Sequence, residues 1–77
     1  METIKYSIVI PLYDEEEILP LLIERLQQIM AELDGPAEVV MVDDGSEDRT
    51  FELAQAASAK DPRFKVIQFS RQREPGR

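Results

Sequence analysis

Two short acidic runs carry most of the chain's capacity for chemistry, Pro11-Leu12-Tyr13-Asp14-Glu15-Glu16 and Asp43-Asp44-Gly45-Ser46. Carboxylates accept hydrogen bonds from base N–H groups and ribose hydroxyls, and a tyrosine ring can lie against a flat base. Such groups suit the base and ribose of a nucleotide. They do not suit bare phosphate. Neither GxGxxG nor GxxxxGK[ST] occurs, so the chain has no glycine-rich phosphate cradle. An acidic crevice takes up a diphosphate only with a divalent cation between the two sets of oxygens. Histidine and cysteine are both absent. Their absence removes the commonest general base, imidazole metal ligands, thiolate metal cages and disulfides.

For the two runs to meet, the intervening elements must bring them to one edge. Residues 4–11 are rich in β-branched and aromatic side chains, and Ser7-Ile8-Val9-Ile10 is nearly continuous in its apolarity, as in a strand buried on both faces. Pro11 is expected to end it. Pro20 suits the first turn of a helix, where its missing N–H goes unused. Leu22, Ile23, Leu26, Ile29, Met30 and Leu33 then form one helical stripe, which Gly35-Pro36 stops. Val39-Val40-Met41-Val42 reads as a second buried strand and Asp43-Asp44-Gly45-Ser46 as a tight turn, with Ser46 or Asp48 available to cap the next helix. That helix is expected over residues 48–60, burying Phe51, Ala54 and Ala57 with Leu53 alongside, and Asp61-Pro62 breaks it. Residues 64–69 read as a third strand. Strand, helix, strand, helix, strand with short connections predicts an α/β fold: a Rossmann-like βαβαβ half-domain with three parallel strands in the order 3-2-1 and two helices. In such a sheet ligands sit at the carboxyl ends of the strands, where both acidic runs fall.

The totals bound the partners. A chain of 77 residues is one small domain, able to bury roughly 60% of its unfolded surface. Its net charge of -7 and pI of about 4.4 repel nucleic acid and anionic membrane surfaces. No apolar stretch approaches a membrane span, and Glu2 follows Met1 in place of a basic leader. The expectation is a soluble, cytoplasmic chain, from a parent protein that could itself sit at the cytoplasmic face of a membrane.

Three segments in order carry a family likeness: Ser7-Ile8-Val9-Ile10-Pro11-Leu12-Tyr13-Asp14-Glu15-Glu16, then Val42-Asp43-Asp44-Gly45-Ser46-Glu47-Asp48-Arg49-Thr50, then Val66-Ile67-Gln68-Phe69-Ser70-Arg71. They resemble the opening of family-2 glycosyltransferases of the GT-A fold, most of all the polyprenyl-phosphate sugar transferases of the dolichol-phosphate mannose synthase type. The resemblance covers residues 6–71. It implies that residues 1–71 are the nucleotide-sugar-binding portion of a truncated domain; residues 72–77, polar, aperiodic and containing Pro75-Gly76, read from composition as a disordered tail. It further implies that Pro11, Tyr13, Glu15, Asp43 and Asp44 contact the nucleoside of a UDP- or GDP-sugar, with Asp44 foremost, and that a divalent cation, Mg²⁺ or Mn²⁺, takes part. The sequence departs from the pattern where Asp14 replaces the usual asparagine and where residues 72–77 replace an Asn-Phe-Gly type segment. The family's Asp-x-Asp metal motif, catalytic base and acceptor site lie beyond that point. No catalytic or metal-binding residue is therefore assigned here, and the chain alone is expected to be inactive.

Plainer readings stand beside these. Asp43 to Ser46 could be only a turn and cap. Glu16 and Glu17 complement the dipole of the first helix, while Glu15 leans to ligand contact. Tyr13 could pack under its loop, and Pro11 reads equally as a strand stop. Asp14, Asp48 and Arg49 read as turn, cap and solvated surface. Receiver domains also carry paired aspartates in an α/β sheet, but their pair follows the first strand and their phosphoacceptor the third, which here ends in Gln68-Phe69-Ser70. The main alternative is a non-catalytic half-domain with weak nucleotide binding and self-association. Right-handed crossovers place both helices on one sheet face, yet every strand offers apolar groups to both, so one face is expected to be bare, with self-association through that face or through the unpaired edge of the first strand.

Overall fold

The computed structural model describes residues 3–69. The elements are β1 (Tyr6–Leu12), α1 (Leu19–Ala31), β2 (Ala37–Asp43), α2 (Thr50–Lys60) and β3 (Phe64–Gln68). The strands form one parallel sheet in the order β1-β2-β3, the expected arrangement read from its other edge. The expected tail over 72–77 lies outside the described residues.

Register follows the apolar pattern. Ile8 pairs with Val39, Ile10 with Met41, Val39 with Phe64 and Met41 with Val66. Since side chains alternate across a strand, these residues share one face with Leu12 and Ala37. Leu19, Leu26 and Met30 of α1 and Ala54 of α2 join them in one core, so both helices cover the same face. Val39, Phe64 and Leu19 have no exposed surface. Each such side chain contributes about 1.5–3 kcal/mol by burial.

The opposite face has two halves. Toward the amino ends, Ser7 donates to Glu38 at 2.8 Å and Lys65 donates to it at 3.0 Å, a polar row across all three strands. Lys65 and then Ser7 hold the Glu38 carboxyl below its ordinary range. Toward the carboxyl ends lie Val9, Val40, Val42 and Ile67, with Val9 63% and Ile67 46% exposed. The expected bare face is this one.

Element ends differ from expectation in two instructive places. β1 runs through Pro11 to Leu12. The Leu12 carbonyl accepts the Asp44 N–H at 3.0 Å, so Leu12 turns its polar groups to β2 and Pro11 turns its own to the free edge. Proline lacks a donor there at no cost. α2 begins at Thr50, because the Asp48 carboxylate takes the Thr50 N–H at 2.9 Å and holds residues 48–49 as a turn.

Candidate functional site

Leu12 and Asp43 are the last register pair of β1 and β2, and Tyr13 and Asp44 follow them at the ends of these neighbouring strands. Beyond this point the two loops fasten to each other. Asp14 adopts a left-handed backbone with φ 48°, and Gly45 has φ 79°. Aspartate is one of the few non-glycine residues that tolerates this region, and glycine enters it freely. The Asp14 N–H donates to the Ser46 hydroxyl at 2.9 Å. Its carboxylate accepts the Glu47 N–H at 2.7 Å and the Asp48 N–H at 3.4 Å.

Further along the loops the contacts become reciprocal. Glu16 N–H donates to Asp48 at 3.2 Å, while the Glu16 carboxylate accepts the Arg49 N–H at 2.8 Å. Glu15 N–H donates to the Thr50 hydroxyl at 2.7 Å, and that hydroxyl donates to Asp48. Thr50 is completely buried. Burial pushes the Asp48 carboxyl up, but donation from Thr50 and Glu16 outweighs it and holds the group below its usual range. The Arg49 and Thr50 N–H groups, two of the orphan donors that open α2, are thus taken by side chains from both loops.

The expected site residues divide by what they expose. Tyr13 is 46% exposed, and Asp44 and Pro11 are also exposed. Glu15 is half-buried, with its backbone in the clasp. Asp43 lies fully buried on the helix-covered side, where its carboxylate accepts the Ser46 N–H at 3.3 Å and the Ser46 hydroxyl. Glu16 acts on the amino end of α2, whereas the sequence suggested α1; α1 has no acidic residue in its first turn. A groove along the clasp is lined by Asp14, Glu15, Glu16, Glu17, Ile18 and Asp48.

Two consequences follow for ligands. A helix amino end ordinarily attracts phosphate, but here carboxylates occupy it. The edge is left to groups that donate hydrogen bonds or stack. Among the described residues no group of three or more His, Cys, Asp or Glu side chains could hold a metal ion. The carboxylates of Asp14, Glu16, Asp43 and Asp48 accept from backbone donors instead. Sequence reasoning offered Ser46 or Asp48 as a local cap, and Asp48 does take the Thr50 N–H, but it missed Asp14, Ser46, Asp48 and Thr50 as a framework that joins the two loops. Asp48-x-Thr50 carried a local signal of an aspartate turn, but the partners of Asp14 lie more than thirty residues away.

The model of the family described as "Glycosyl transferase family 2" matches residues 7–77. The chain belongs to this family. Its three parallel strands and two helices are consistent with a Rossmann-like half-domain of that family. Similar proteins include the uncharacterized glycosyltransferase YkcC of Bacillus subtilis strain 168, 43% identical over 88% of this chain and 21% of that protein. The undecaprenyl-phosphate 4-deoxy-4-formamido-L-arabinose transferase of Yersinia enterocolitica is 49% identical over 82% of this chain and 19% of its own length. Its counterpart in Pseudomonas aeruginosa strain LESB58 is 51% identical over 71% of this chain and 16% of its own length. The chain thus spans about a fifth or less of these relatives. Among the described residues no helix is long and apolar enough to cross a membrane.

Proposed function

We propose that this chain is the nucleoside-binding portion of a glycosyltransferase that takes a sugar from a UDP- or GDP-sugar and passes it to an acceptor such as a polyprenyl phosphate. The observation that carries this reading is the pair of clasped loops at the carboxyl edge of β1 and β2, which leaves Tyr13 and Asp44 exposed on adjacent strand ends. Tyr13 stacks on the base and Asp44 accepts from base or ribose. Pro11 and Glu15 complete the contact surface, and Asp43, buried beneath it, holds the turn that presents Asp44. The relatives named for undecaprenyl-phosphate transfer favour a lipid-phosphate acceptor. A divalent cation used by the whole enzyme would find its ligands outside residues 3–69. The reaction is placed on the cytoplasmic side of a membrane.

A second reading, a non-catalytic half-domain that binds nucleotide weakly and self-associates, draws on the bare half-face around Val9 and Ile67. One titration tests the first claim: UDP and GDP, each with Mg²⁺, added to labelled chain. Shifts confined to the Tyr13 and Asp44 region, reduced about tenfold in affinity by Asp44→Ala, are expected from the loss of a charge-assisted hydrogen bond. No shift at saturating nucleotide would falsify nucleoside binding. Sugar transfer to a polyprenyl phosphate by the purified chain would refute the second reading.

A further inference from the structure

Asp14 is exposed, yet its carboxylate is engaged by backbone donors of the second loop, and its geometry gives it a task that neither charge nor a turn requires. The residue sits between Tyr13 and Glu15, two of the nucleoside contacts, in a backbone region that most side chains avoid. From there its carboxylate accepts two successive N–H groups of the second loop, those of Glu47 and Asp48, and its own N–H reaches Ser46. Ser46 in turn is bound by Asp43, the residue that precedes Asp44. A continuous path of hydrogen bonds therefore joins the backbone beside Tyr13 to the backbone beside Asp44. We propose that Asp14 is a positioning residue, which latches the second loop onto the first and fixes Asp44 relative to Tyr13 for nucleoside recognition. This role rests on the nucleoside-binding reading above, but the latch itself is a statement about loop geometry.

The chemistry separates three features of Asp14. An oxygen acceptor is needed, and a negative charge is not, since an amide carbonyl accepts from backbone N–H in the same geometry. The left-handed backbone is needed as well, and glycine supplies it without an acceptor. Asp14→Asn keeps both features, Asp14→Gly keeps only the backbone, and Asp14→Ala keeps neither.

The test uses the full 77-residue chain and two readouts, amide hydrogen exchange at Glu47 and Asp48 and affinity for UDP and GDP with Mg²⁺. Asp14→Gly is expected to speed exchange at both amides about tenfold or more, because they lose their acceptor to local opening. Exchange in β2 should stay unchanged. In the same variant nucleotide affinity should fall about tenfold, as for any site whose two halves lose their fixed spacing. Asp14→Asn should match the native chain in both readouts. A role confined to general stability predicts faster exchange throughout the sheet as well, and that result would overturn the proposal. So would native-like loop exchange or native-like affinity in Asp14→Gly, or failure of Asp14→Asn to restore them. Should the native chain bind neither nucleotide, the nucleoside reading falls, and positioning for recognition falls with it. The exchange at Glu47 and Asp48 then still decides whether the latch exists.

Discussion

Replacing Thr50 by valine removes one hydroxyl from a site with no solvent access and leaves its shape nearly unchanged. That hydroxyl accepts the Glu15 N–H at 2.7 Å and donates to the Asp48 carboxylate. Valine fills the space but satisfies neither group. A part-buried N–H stripped of its acceptor costs about 1–3 kcal/mol, and Asp48 also loses a donor, although it keeps the N–H groups of Thr50 and Glu16. The expected loss is about 2 kcal/mol. In a domain of this size that corresponds to a fall in Tm of roughly 8–16 °C. Thr50→Ser keeps the hydroxyl and drops a methyl, so it should lose about 1 kcal/mol, less than valine even though it removes more apolar surface. Urea and thermal unfolding followed by circular dichroism measure all three chains. If valine proves as stable as the native residue, or serine the worse of the two, the hydroxyl does not join the loops and the clasp is wrongly reasoned. A double-mutant cycle with Asp48→Ala adds a second check, because groups that share one hydrogen bond should couple non-additively.

Two other perturbations follow from the same interactions. Asp61 is held down to about 2 chiefly by Arg63, which grips it through two guanidinium nitrogens and its own N–H, with Gln27 adding a donor. A carboxyl depressed in the folded state contributes stability above its unfolded value of about 3.9 and loses it as pH falls through the folded one. Acid titration of stability should therefore show a decline between about pH 4 and 2 that Asp61→Asn flattens; the contribution is about 1 kcal/mol after solvent screening at half-exposed Arg63. An equal slope in the variant would refute the assignment. The bare half-face should drive self-association at micromolar concentration, and Val9→Lys or Ile67→Lys should shift sedimentation toward the 8.8 kDa monomer. A native chain that sediments as a monomer at every concentration would remove that expectation.

The order of elements, the parallel sheet and the position of the two acidic loops were legible in the sequence, because each rests on local causes. Apolar runs such as Val39-Val40-Met41-Val42 mark strands covered on both faces in a complete sheet, spacings of three and four mark α1, and proline and glycine mark the ends. The family likeness was legible for the same reason, since its motifs are short and contiguous. Other features were not local. Val9 and Ile8 are equally apolar, so only the packing of Leu26, Met30 and Ala54 decides that Ile8 faces the helices and Val9 the open side. Pro11 looked like a terminator, and only the pairing direction of Leu12 shows that its missing donor faces an unused edge. Asp43 and Asp44 are identical neighbours in the sequence. The pleat of β2 sends one carboxylate inward to Ser46 and leaves its neighbour exposed. Asp14, Glu16 and Asp48 read as a turn residue, a complement to the first helix and a cap, each local, until the sheet register sets their loops against each other, across more than thirty residues of chain. A carboxylate's partner is chosen by distance in space, which the tertiary structure alone supplies.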